Sequence, residues 1–109
     1  MGDLNQKHCV PCEGSTVPLL KREAEEMIKQ IPGWQLWPDG RTISREFSFK
    51  NFADAFAFAT KVAAIAEEEQ HHPDMLIGWG KVEIELSTHA IGGLSENDFI
   101  VAAKINEIH

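Results

Sequence analysis

Basic residues are scarce in this chain of 109: 10 Lys and Arg stand against 17 Asp and Glu, a formal net charge of −7. Nucleic-acid backbones and anionic membranes select clustered Lys and Arg, and here those residues are scattered. Both are excluded as main partners, and a neutral or mildly polar small molecule is easier to accommodate. Long apolar runs are missing too. No stretch approaches the roughly 18 uninterrupted apolar residues of a membrane span, and the opening MGDLNQKHCVPCEG lacks the apolar core of a secretory signal. These absences predict a cytoplasmic protein. Cysteine occurs only at Cys9 and Cys12, too few for a disulfide scaffold and consistent with a reducing compartment. Tyrosine is absent, while there are three tryptophans.

What is present suffices for one core. The chain is 43% hydrophobic, and its length fits a single domain of about 100–150 residues. Residues 1–17 carry turn formers and charges without periodicity and read as an irregular arm ahead of a domain over 18–109. Leu20, Ala24, Met27, Ile28 and Ile31 then recur at helical spacing, and Pro32-Gly33 ends that helix. Trp34 to Trp37 and Arg41 to Phe49 flank Asp39-Gly40 as a half-buried hairpin, with Ile43, Phe47 and Phe49 on one face.

Asn51 caps a long helix through about Gln70, with Asp54 favourable to its dipole. Between residues 52 and 66 only Asp54, Thr60 and Lys61 are not apolar, so this helix must be covered on most sides. One side lies on the sheet, and the other needs a further helix or a second subunit, hence a homo-oligomer. His72-Pro73 ends the helix, and two strands follow around Gly78 and Gly80, with Val82, Ile84 and Leu86 inward. Ser95 caps a last helix whose apolar face is Phe99, Ala102, Ala103 and Ile105, and Asp98 stands where a capping-box acid would be. The fold class is α+β: a four-stranded antiparallel sheet with three helices on one face, in the order α-β-β-α-β-β-α.

His71 and His72 fall at a helix end and His89 just past a strand, boundaries where scaffolds place function. With an ordinary pKa of about 6.5, histidines around a pocket can exchange protons near neutrality without a cofactor. The alternative for His71 and His72 is a helix-terminal pair contacting exposed carbonyls. Glu67 falls between Phe56 and Ala63 on an apolar stripe, four residues before His71. A carboxylate there needs a partner, and His71 is the nearest. Alternatively the helix frays after Ala66 and Glu67 is solvated with Glu68 and Glu69. Metal binding is unforced: adjacent histidines before a proline rarely converge on one ion, and no H-E-x-x-H or Cys-rich quartet occurs. Cys9-Val10-Pro11-Cys12 has C-x-x-C spacing but lies in the arm, with only His8 nearby, so packing is favoured over redox or zinc chemistry. His8 and His109 read as solvated. Trp79, between two glycines, either faces a flat heterocycle or packs on the sheet; Trp34 and Trp37 pack the first hairpin.

The series Glu67-x3-His71-His72-Pro73-x5-Trp79-x9-His89-x8-Asp98 resembles the signature of the pterin-4a-carbinolamine dehydratases at every element. Cys9-Val10-Pro11-Cys12-Glu13-Gly14, Ile31-Pro32-Gly33-Trp34 and Leu94-Ser95-x2-Asp98 are similar to bacterial members. The resemblance implies a four-stranded antiparallel sheet with helices on one face, assembled as homodimers or homotetramers. It implies loss of water from a 4a-hydroxytetrahydropterin to give the quinonoid dihydropterin, with no metal and no cofactor. It also implies a functional link to an aromatic amino-acid hydroxylase through tetrahydrobiopterin recycling. His71 and His89 become the acid/base candidates and His72, grouped with them as catalytic, a substrate-binding or polarising partner. Glu67 would orient His71; Pro73, Trp79 and Asp98 join the substrate-binding set. Two further expectations remain: a dimerisation cofactor for a transcription factor, as in animal members, or a pterin-binding protein in molybdopterin metabolism.

Overall fold

The structure, a computed structural model, describes residues 4–11 and 16–109. Cys12, Glu13 and Gly14 lie outside the described residues. Helix α1 spans Lys21–Met27 and tightens into a 3-10 turn at Ile28–Gln30. Strands β1 (Gln35–Leu36) and β2 (Ile43–Ser48) follow, then helix α2 (Phe52–Glu69), strands β3 (Asp74–Gly78) and β4 (Lys81–Leu86), and helix α3 (Glu96–Ile108). All pairings are antiparallel, and the spatial order is β1-β2-β4-β3.

Local chemistry explains most boundaries. The Asp54 amide donates to Asn51 Oδ1 at 2.7 Å, the N-cap bond that starts α2. Gly40 adopts φ +72°, which the turn between β1 and β2 requires. Leu20 corrects the reading of the first helix: it precedes α1 and is half-exposed, and its amide donates to Glu23 Oε1 at 2.7 Å.

The core lies between the helices and one face of the sheet. Ile43 and Phe47 of β2 and Val82, Ile84 and Leu86 of β4 are buried, each worth about 1.5–3 kcal/mol. Ser44, Glu46, Glu83 and Glu85 alternate with them onto the other face. Arg45 shares the inward face, yet its guanidinium escapes over the Phe47 ring at 4.4 Å and donates to Pro32 O and Asn106 Oδ1. Asn106 Oδ1 also accepts from Trp34 Nε1 at 2.8 Å, so one amide ties the first hairpin to the end of α3.

Helix α2 buries Ala55, Phe58, Ala59, Val62 and Ala66. Its opposite side carries Phe52 and Phe56, about half exposed and stacked at 6.1 Å between ring centroids. The arm is less irregular than its composition implies. Leu4–Gln6 form a 3-10 turn that packs on α3 with Leu4 buried, and Lys104 Nζ donates to Asn5 O at 3.1 Å. His109 is exposed as expected, although its ring stands 4.8 Å from that of Phe47. Among the described residues, no helix is long and apolar enough to cross a membrane.

Candidate active site

Helix α2 stops because Gln70 turns left-handed, at φ 53° and ψ 41°, and the His71 amide closes the end by donating to Ala66 O at 3.1 Å. Pro73 prevents a restart, so His71 and His72 leave in extended chain and diverge.

His71 turns inward. Its side chain is 11% exposed, and Nε2 lies 2.6 Å from Oδ1 of the fully buried Asp98. Asp98 Oδ2 accepts from Thr88 Oγ1 at 2.7 Å and from the Ser95 amide at 3.0 Å. Thr88 and Ser95 hydroxyls are 2.8 Å apart. With the Thr88 proton given to Asp98, Ser95 must supply the proton in that bond. Asp98 thus caps α3 and also grips His71. A carboxylate accepting from Nε2–H leaves Nδ1 as the acceptor nitrogen of the imidazole.

His72 turns outward, with Nε2 2.6 Å from Glu67 Oε2. This corrects the expected Glu67–His71 pairing. Glu67 is 72% exposed, because the stripe it shares with Phe56 and Ala63 is the one facing away from the sheet. An α2 apolar on both sides offers two candidate inward faces, and periodicity does not choose between them. His89 opens a 3-10 turn, His89–Ile91, where its ring is 78% exposed and Nε2 lies 4.0 Å from Asp74 Oδ2.

Between these elements lies an open cavity of about 280 Å³ whose lining includes His71, His72, His89, Thr88, Val10 and Pro11. A second open cleft of about 300 Å³ adjoins His89 between Arg41 and Asp74. None of Glu67, Pro73, Trp79 and Asp98, the named substrate-binding and orienting residues, is in the cavity lining; Glu67 and Asp98 reach it only through the histidines they hold. Pro73 leads into β3. Trp79, 71% exposed, occupies the turn at the far end of the β3–β4 hairpin, about 17 Å along the strand at roughly 3.3 Å per residue. Among the described residues, no group of three or more His, Cys, Asp or Glu side chains is arranged to hold a metal ion.

Glu69 is the residue that sequence reasoning missed. Spaced i, i+4, i+7 with Val62 and Ala66, it continues the buried stripe, and its side chain is 1% exposed. Its carboxylate accepts from the Cys9 amide at 2.7 Å and lies 3.0 Å from His8 Nδ1 and 3.6 Å from Lys104 Nζ. Burial pushes the carboxyl up, but the Cys9 amide, the His8 ring and the Lys104 ammonium outweigh it and hold Glu69 below its ordinary 4.5. Beside it, burial and then the Glu69 charge push the Cys9 thiol up to about 12. That thiol stays protonated, donates to Asn97 O at 3.6 Å, and is no nucleophile at neutral pH.

The chain matches the family model described as "Pterin 4 alpha carbinolamine dehydratase" over residues 17–108. A protein of Halorhodospira halophila, provisionally named a pterin-4-alpha-carbinolamine dehydratase, is 49% identical over 96% of each chain. A similarly named protein of Nitrosomonas eutropha is 54% identical over 95% of this chain and 91% of its own. A crystal structure described as a transcriptional coactivator/pterin dehydratase from Brucella melitensis superposes with a TM-score of 0.78 at 35% identity, covering 84% of this chain and 97% of that one. A pterin dehydratase-like protein described as a RuBisCO assembly factor in the alpha-carboxysome gives 0.60 at 26%, over 70% and 88%. With nearly the whole domain matched and close relatives at about half identity, the chain belongs to the pterin-4-alpha-carbinolamine dehydratase family.

Proposed function

We propose that this chain dehydrates a 4a-hydroxytetrahydropterin to the quinonoid dihydropterin, acting on a freely diffusing small molecule in the cytoplasm. The observation that carries the reading is the convergence of His71, His72 and His89 on one cavity, each ring beside its own carboxylate. The elimination breaks the C4a–O bond and forms the N5=C4a double bond. The hydroxyl leaves as water with one added proton, and N5 gives up its proton. His71, held by Asp98 with Nδ1 as acceptor, takes the N5 proton. His89, whose Nε2 stands 4.0 Å from Asp74 Oδ2, gives a proton to the leaving hydroxyl. His72, steadied by Glu67, binds the ring's polar edge. A second copy of the chain covers the Phe52 and Phe56 side of α2.

The test is the turnover of freshly generated 4a-hydroxytetrahydropterin, followed by ultraviolet absorbance above the spontaneous rate, with and without EDTA. Chelator-insensitive acceleration is expected. No acceleration by folded protein overturns the enzymatic reading. The exposed apolar side of α2 favours a protein-binding module in that event, to be sought as a stoichiometric partner in a pull-down.

A further inference from the structure

Residues 4–11 lie ahead of the segment the family model matches, yet two of them reach the histidine cavity. Val10 is 66% exposed, so its apolar side chain is available to whatever enters. The backbone on either side of it is pinned. Glu69 accepts from the Cys9 amide, and Asn97 brackets Val10: the Val10 amide donates to Asn97 Oδ1 at 3.1 Å, and Asn97 Nδ2 donates to Val10 O at 2.6 Å. Glu69 and Asn97 are both buried. Burying a carboxylate is unfavourable unless it is satisfied, and two of the partners that satisfy Glu69, His8 and the Cys9 amide, belong to the arm. Glu69 does not line the histidine cavity, so any influence on the reaction runs through the arm.

We propose that the arm is a built wall of the substrate site: Val10 and Pro11 supply an apolar surface for a planar heterocycle or its substituent, and Glu69 is the positioning residue that latches them. The arm sets substrate affinity and leaves the proton transfers to the histidines. The proposal rests on the pterin reading above, and its test separates the two.

Two variants in the full chain, Glu69→Gln and Val10→Ala, are measured for steady-state kinetics and for hydrogen exchange over residues 4–11. Glu69→Gln weakens the latch, so arm amides exchange roughly ten-fold faster and KM rises roughly five-fold while kcat stays within about two-fold. Val10→Ala alters an exposed side chain without touching the latch. It raises KM with arm exchange unchanged. Faster arm exchange with an unchanged KM overturns the wall, as does an unchanged KM in Val10→Ala. Unchanged exchange in Glu69→Gln overturns the latch. Should the wild type dehydrate nothing, the dehydratase reading fails by itself. The equilibrium Kd for a stable dihydropterin then replaces KM, and the wall stands only if both variants weaken that Kd.

Discussion

Two imidazole–carboxylate pairs of equal length, 2.6 Å, sit on neighbouring residues and live in opposite surroundings. His71–Asp98 is enclosed, with Oδ1 of Asp98 engaged by His71 and Oδ2 by the Thr88 hydroxyl and the Ser95 amide. His72–Glu67 is a solvated pair on the rim, and His89–Asp74 is looser still. Contact length alone does not rank them. Water competes for the rim pairs and screens them, whereas the inner pair holds its geometry because Asp98 is closed off from water and fixed by Thr88 and Ser95 as well. The cavity therefore has one fixed histidine and two that adjust.

The sharpest way to break that contrast is Asp98→Asn. An amide in that position offers an N–H where His71 needs an acceptor, so the imidazole loses its tautomer, and kcat should fall by roughly 10²–10⁴. Wild-type kcat in this variant would remove the fixed pair from the chemistry. His89→Ala should lower kcat by about 10² with thermal stability unchanged, since the ring is exposed and at an element end. A loss of stability would show that His89 is structural.

Glu69 offers a different buried carboxylate for comparison. Its folded pKa lies below the unfolded value, so its stabilisation is complete above about 4.5 and is lost as pH falls through the depressed folded pKa. Urea unfolding in an acid series should show wild type losing its advantage over Glu69→Gln below that point. Parallel curves would assign the shift to some other group. The smallest effect belongs to Glu67→Gln, which should change stability by less than about 1 kcal/mol and turnover by no more than about three-fold. A large effect would mean that the rim pair is desolvated when substrate binds.

What the sequence made legible was local. The Asn51 cap, the alternation of Val82, Ile84 and Leu86, and the Ser95 start of α3 each depend on neighbours within a few positions, and all stand as read. The three histidines were readable as boundary residues for the same reason. Glu69 was not, because its partners His8 and Cys9 are about sixty positions away and nothing in the run Glu67-Glu68-Glu69 marks which acid turns inward. The Arg45 and Asn106 hub is equally remote in sequence. Glu67 was assigned to the wrong histidine because a helix apolar on two sides hides its phase.

The left-handed residue at Gln70 and the proline at Pro73 fix only two positions between them, and alternation assigns one histidine to the protein interior and the other to solvent. That short stretch works as a ruler more than as a collection of side chains. Inserting one residue between Gln70 and His71 would turn each histidine to the opposite side without altering the composition of the site. An enzyme repaired by a compensating deletion nearby would identify spacing, in advance of chemistry, as the quantity this junction preserves.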